Sequence, residues 1–306
     1  MNRFEYLEAR TLPEAIALLG QGEGTRIVAG ATDFLVRWRQ GLWKPRAVLN
    51  IKRIPGLDGV SYSPETGLSL GALVTIRTLE LHPLIREHYA ALSQAAATFA
   101  GVQIRNLATV GGNVCNASPA GDTLPALLAY GTECRLMGSG GERVVPLESF
   151  LRGPAHTALR SAELLVELRL PPPPPHIGAL YIKHSPRSAM DISAVGVASV
   201  VSLEGRDGAC REVRIALGAV APTPIRATSA EALLRGQRLD AVVIQQAARA
   251  AVEDARPIDD IRGTARYRRS IVEALVGRTL RLAVQMGQGT SIPFHTQRAL
   301  AVESMM

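Results

Sequence analysis

Aromatic residues are scarce in this 306-residue chain: two Trp, five Phe and six Tyr, 4% of the total. A core with so few rings must be mostly Ala, Val, Leu and Ile. Nor is there the aromatic interleaving on which nucleic-acid bases stack. Cysteine is scarcer still. Cys115, Cys134 and Cys210 lie far apart and form no CxxC, so neither a zinc site nor an iron–sulfur cluster finds its usual ligand spacing. The six histidines show no metal-like pairing. Long apolar runs are also missing. No segment approaches the roughly 20 apolar residues that span a bilayer, and the N-terminal MNRFEYLEARTLPEAIALLG is charged. An odd cysteine count without a leader-like segment is expected of a reducing cytoplasm.

Positive charge is in excess, at net +7. It is spread as single Arg residues and short pairs, the densest run being RYRRS at 266–270. A nucleic-acid surface would gather such charge into a stripe, so no nucleic-acid partner is expected. Hydrophobic residues at 47% and charged residues at 20% are ordinary for a globular protein. The length suits two domains or one large one.

Along the chain, short strand-like and helical stretches alternate. TLPEAIALLG (11–20) reads as a helix, with Thr11 at the N-cap, Pro13 in the first turn and Gly20 as a stop. Strands are predicted over 25–30, 46–54 and 67–75. An alanine-rich stretch over 82–101 predicts one long helix, and 122–131 another. A strand at 162–170 then runs into five prolines, Pro171–Pro175. These cannot join a sheet and should be extended, as a boundary spacer or as a surface loop. Beyond them, 192–205 and 212–225 read as a strand pair, followed by helices over 228–235, 240–255 and 264–285. The pattern is α+β throughout, closing in a strand meander with helices.

Two glycine-centred stretches stand out: RIVAGATDF (26–34) and TVGGNVCNASPAGD (109–122). Small residues let backbone N–H groups approach an anion closely, and Thr and Asn add donors. Neither stretch holds GxGxxG after a first strand or GxxxxGK[ST]. From the residues alone they are either tight turns or a cradle for a diphosphate.

Taken together, IVAGATDF and, some eighty residues on, ATVGGNVCNASPAGD resemble the FAD-binding medium subunit of the molybdenum hydroxylases, the xanthine dehydrogenase and carbon monoxide dehydrogenase group. TFAGVQIRNLATVGGN, YIKHSPRSAMDISAVGVAS and DDIRGTARYRRSIVEALVGRTL extend the resemblance over essentially the whole chain. It implies a two-part FAD-binding domain of the vanillyl-alcohol oxidase and p-cresol methylhydroxylase type at 1–175, with parts at 1–55 and 56–175. A small α+β C-terminal domain at 176–290 and a tail at 291–306 would follow.

Residue by residue, the resemblance implies a first FAD loop of Arg26, Ile27, Val28, Ala29, Gly30, Ala31, Thr32 and Asp33. Thr109, Val110, Gly111, Gly112 and Asn113 form the second. Phe99 would pack on a cofactor ring, Asp122 would take a hydrogen bond from cofactor hydroxyls, and Leu165 and Lys183 would be later contacts. A cation at Lys183 near the flavin N1/C2 edge would suit an anionic reduced flavin. Each has a plainer reading. Phe99 also reads as core, Asp122 as the N-cap of the next helix and Lys183 as a solvated strand residue. Arg187 and Asp191 read as an exposed ion pair, the favoured reading, or as a loop that touches the flavin edge, and the Arg-rich 262–269 as docking helices or a partner subunit.

The family's assembly implies two partner chains. A large subunit carries the molybdenum cofactor and hydroxylates the substrate, and a small one carries two two-iron two-sulfur clusters. The whole would be a doubled heterotrimer that passes electrons through FAD to NAD or another acceptor. In the 4-hydroxybenzoyl-CoA reductase branch an inserted loop adds cysteines for a four-iron cluster. Here VCNASPAGD runs straight on, so FAD and no cluster are expected in this chain. Cys115 reads as a small packed residue. A stand-alone FAD oxidoreductase and a non-catalytic nucleotide-binding regulator are the alternatives from other classes.

Overall fold

The computed structural model describes residues 3–187 and 190–293; the expected tail lies outside the described residues from 294 on. The chain begins with a small parallel sheet. β1 (Glu5–Glu8) leads through helix α1 (Leu12–Gly20) to β2 (Thr25–Val28), and α2 (Phe34–Arg39) leads to β3 (Ala47–Asn50). The order is β1-β3-β2, with β3 central and buried along its length. α1 starts where its sequence says it should: Thr11 Oγ1 accepts from the Glu14 N–H, and Glu14 accepts from the Arg10 N–H.

A larger antiparallel sheet follows, in the order β4-β5-β10-β6-β7. It begins with β4 (Val60–Ser63) and β5 (Gly67–Gly71). Six helices come next: α3 (Ile76–Leu81), α4 (Pro83–His88), α5 (Ala90–Thr98), α6 (Val102–Arg105), α7 (Val110–Asn116) and α8 (Thr123–Ala129). The chain then returns through β6 (Glu133–Gly138), β7 (Gly141–Pro146), α9 (Leu147–Phe150), the short β8 (Leu151–Gly153) and β9 (His156–Thr157), and β10 (Leu164–Leu170). Two expectations need correction here. The long helix over 82–101 is broken at Tyr89, which leaves helical geometry at φ −133° and ψ 50°. The cause is tertiary: the Tyr89 ring is fully buried, stands edge-on to Tyr130 at 5.1 Å, and donates its hydroxyl to the Pro171 carbonyl at 2.9 Å. The glycine stretch after Ala108 is a helix rather than a loop, because Thr109 Oγ1 caps it by accepting from the Gly112 N–H.

The proline run joins β10 to the last sheet. That sheet is an antiparallel meander of β11 (Ile177–His184), β12 (Val195–Leu203), β13 (Cys210–Gly218) and β14 (Ile225–Arg226). Three helices follow: α10 (Thr228–Leu234), α11 (Ala241–Asp254) and α12 (Ala265–Gly287). α12 lies on β11 and β12, while α5 and α8 cover the opposite face. Both faces are therefore buried, and β12 is apolar nearly throughout rather than alternating. Arg268 closes the end of this unit. Its guanidinium is buried and donates to the carbonyls of Ala219 (2.7 Å) and Ala194 (3.2 Å) and to Asp260 (2.5 Å).

Gly178 sets how closely α12 approaches the sheet, since a Cβ there would stand 1.8 Å from the Ala283 carbonyl oxygen. Gly178→Ala should therefore cost about 3 kcal/mol or more, the upper end of overpacking penalties. The urea unfolding midpoint measures it, and an unchanged midpoint would contradict this packing.

Candidate functional site

A cavity of about 520 Å³ opens between the small parallel sheet and the larger antiparallel one. Its walls are mostly the ends of strands and helices. β2 supplies one side and runs into residues 29–33. The turn before α7 supplies another. The start of β10, with residues 159–163 ahead of it, closes a third. Of the residues singled out above, Arg26 through Asp33, Phe99, Thr109, Gly111, Gly112, Asn113 and Leu165 all line this space. Two segments some eighty residues apart in sequence thus face one another. Val110 does not line it; its side chain is fully buried and its N–H donates to the Val74 carbonyl.

The glycines are there for backbone contact. A Cβ on Gly30 would fall 2.0 Å from the Leu107 carbonyl oxygen, so the two walls touch main chain to main chain. A Cβ on Gly111 would fall 2.6 Å from the Ala72 oxygen, to which the Gly111 N–H already donates at 2.9 Å. Gly112 sits under the Thr109 hydroxyl that caps α7. Ala31 holds φ 60°, a left-handed conformation that an alanine adopts only at a cost. Phe99 proves to be both core and wall, half-buried against the central cluster and facing the cavity.

Polar groups of the second segment converge on the space. The Thr123 hydroxyl donates to Asn113 Oδ1 at 2.7 Å, which leaves the Asn113 amide N–H groups as its free donors. Asn116 Oδ1 is buried and has no hydrogen-bond partner. Such an orphaned acceptor is costly unless something fills it. Cys115 also faces the cavity, and burial pushes its thiol up to about 12, so it stays protonated there.

Asp122 and Lys183 stand outside the lining and are tied to one another. The Lys183 Nζ donates to Asp122 Oδ2 at 2.8 Å and to the Thr98 carbonyl at 3.3 Å, next to Phe99. Both side chains are buried, at 7% and 9% exposure, which removes the solvated reading of Lys183. The N-cap reading of Asp122 also fails, because its side chain makes no cap bond to α8. The Tyr181 hydroxyl donates to the other carboxylate oxygen at 3.4 Å. Burial nevertheless pushes the Asp122 carboxyl up to about 6, against the pull of Lys183. Arg187 and Asp191 do form the ion pair, at 3.4 Å, with Arg187 exposed and Asp191 half-buried.

Sequence reasoning missed several lining residues. Ala72, Leu73, Trp43 and residues 159–164 carry no local signal. Asn116 had one: it is the second asparagine of the small-residue run.

Comparison with known proteins places this geometry. Residues 2–173 match the family described as FAD binding domain in molybdopterin dehydrogenase, and residues 180–283 match the CO dehydrogenase flavoprotein C-terminal domain. The xanthine dehydrogenase FAD-binding subunit of Escherichia coli O157:H7 is 31% identical over 285 residues, 93% of this chain and 97% of that one. The carbon monoxide dehydrogenase medium chain of Hydrogenophaga pseudoflava is 32% identical, covering 92% and 97%. The solved structure of carbon monoxide dehydrogenase from that organism, in a form lacking the Mo-pyranopterin moiety of its cofactor, superposes with a TM-score of 0.88 at 33% identity, covering 92% and 97%.

The residues present fit a flavin dinucleotide. The glycines let the cavity walls close on one another's backbone, where a Cβ would meet Leu107 or Ala72, and Asn116 supplies a buried acceptor still wanting a donor. Gly111→Val should empty the site of FAD, because its side chain must displace the Ala72 backbone. A folded variant with full FAD content would refute this. Lys183→Met should strand the Asp122 carboxylate and destabilise by about 3–5 kcal/mol, with Asp122→Asn restoring much of the loss. The sign with pH is fixed. A carboxyl whose folded value is raised above the unfolded one loses stability as pH rises through that value. The variant's deficit should thus be large at pH 8 and shrink below pH 5, as thermal melting across pH would show.

Proposed function

Since the chain belongs to the FAD-binding subunits of the molybdopterin dehydrogenase family, we propose that it is the electron-transfer subunit of a multi-subunit molybdenum hydroxylase. It stands between iron–sulfur clusters on a small partner chain and NAD or another acceptor. Hydroxylation belongs to a large partner chain that holds the molybdenum cofactor. The observation that carries this reading is the meeting of the two glycine-bearing segments around one cavity, with main-chain contact at Gly30 and Gly111.

Bound FAD supplies a carrier able to exchange electrons singly or in pairs. The rest of the task falls to this chain's residues. Arg26 through Asp33 hold the dinucleotide from one side and Thr109, Gly111, Gly112 and Asn113 from the other, and Leu165 closes the space from β10. Phe99 packs on a ring, and the Asp122–Lys183 pair props the Phe99 segment from behind through the Thr98 carbonyl. Residues 1–175, divided near 55, serve as the two-part cofactor domain, and 176–290 as a covering domain. No described helix is long and apolar enough to cross a membrane, and we place the complex in the cytoplasm as a doubled heterotrimer.

The test is the visible spectrum of the purified chain, with the released cofactor identified by mass. About one FAD per chain, with large and small subunits copurifying from the source, is the expected result. A folded, colourless chain that takes up no added FAD would overturn the reading.

A further inference from the structure

The link between α11 and α12 presents apolar side chains to solvent from a rigid frame. Asp260 and Gly263 exchange backbone hydrogen bonds at 3.2 and 3.1 Å, so Ile261 and Arg262 form the tip of a tight turn. Asp260 Oδ1 accepts from the Arg262 N–H at 2.7 Å and from the Arg268 guanidinium, and Asp259 Oδ1 accepts from the Ala265 N–H at 2.5 Å. These bonds fix the turn and leave its tip bare. Ile261 is 97% exposed, the most of any large apolar residue described. Ile258 at 71% and Tyr267 at 42% lie on the same segment. Turn tips ordinarily carry Gly, Asn or Asp, and an isoleucine so exposed contributes nothing to this fold. One exposed apolar residue needs no explanation. Three on a clamped segment form an anchor already in its binding shape, which lowers the ordering cost of association.

The arginines of the segment divide by role. Arg268 is buried against two carbonyls and Asp260, and Arg262 pairs with Asp260 at 3.1 Å. Arg266 and Arg269 are exposed and three residues apart on α12, hence neighbours on its surface. Among the described residues neither forms an ion pair. Five arginines face two aspartates between 256 and 269, and both aspartates are engaged within the turn. Position then selects the partner. The Tyr267 hydroxyl meets His184 Nε2 at 2.9 Å, at the end of β11 where the adjacent Lys183 reaches the Thr98 carbonyl beside Phe99. In the function proposed above, the Phe99 wall carries the ring that electrons must reach. Of the two partner chains, the iron–sulfur one has to seat near that ring.

We propose that Ile261, flanked by Ile258 and Tyr267, is an anchor that seats in an apolar socket on the iron–sulfur partner chain, with Arg266 and Arg269 meeting carboxylates at the rim of that socket. The proposal rests on the subunit reading above and adds to it the surface and the chemistry of the contact. An apolar anchor inside a polar rim is the common anatomy of such contacts, and the rim charges set approach and register.

The test is assembly of the full-length, FAD-loaded chain with coexpressed iron–sulfur and molybdenum-bearing chains, read by native mass. Titration against the iron–sulfur chain at several salt concentrations accompanies it. Ile261→Asp should weaken that pair about ten- to hundredfold, the range of one aliphatic side chain left unburied, with FAD content and melting temperature unchanged. Arg266→Glu combined with Arg269→Glu should weaken it too and flatten its salt dependence. Val242→Asp, at an exposed site on α11, should leave assembly intact. Wild-type assembly by Ile261→Asp would overturn the proposal, as would an equal loss in Val242→Asp. Loss of the molybdenum-bearing chain alone would overturn the choice of partner. A wild-type chain that pairs with itself, or binds phosphatidylserine vesicles, through Ile261 would also overturn it. A wild-type chain that holds no FAD and meets neither partner would remove the subunit reading, and this surface with it.

Discussion

The cavity depends on two backbones touching. The Leu107 carbonyl occupies the place where residue 30 would carry a Cβ, and Ala72 does the same for residue 111. Around these contacts the second wall is stitched down by main-chain bonds: Ile76 N–H to Ala108, Val110 N–H to Val74, and Gly111 N–H to Ala72. A site made this way has little side-chain chemistry to offer and much shape. That suits a chain that holds a cofactor and leaves bond-making to the cofactor itself.

Charge inside the fold is buried where it can be paired. Asp122 with Lys183 behind the Phe99 wall is one case, and Arg268 across two carbonyls and Asp260 is another. Glu231 is a third, buried and met by Arg226 and by the Ile215 N–H.

What could be read beforehand follows the range of the forces. Local signals held: Thr11 caps the helix that its sequence announces, and the helices expected from 240 and 264 start there, capped by Asp240 and Thr264. The apolar strands β12 and β13 also stood out. The break at Tyr89 could not be seen, because its cause is a carbonyl at Pro171. β6 and β7 escaped notice because their Glu and Arg residues pair across the strands or with β10, as Arg135 does with Glu142 and Glu167. The small-residue segments were visible, but their local chemistry alone allowed plain turns. Only the joint pattern of both segments pointed to one site. The pairing of Asp122 with Lys183, 61 residues apart, had no local trace.

The poverty in aromatic residues has an optical side. Trp38 and Trp43 are the chain's two tryptophans, and both lie in or just after α2, with Trp38 edge-on to Phe4 at 5.1 Å and Trp43 against Phe34 and two guanidiniums. The covering sheet and its three helices hold none. Ultraviolet emission excited at the indole band is therefore a local signal from the corner where the small sheet meets the cavity. Loosening of the C-terminal unit alone would pass almost unseen in it, while any event at that corner would register without a label.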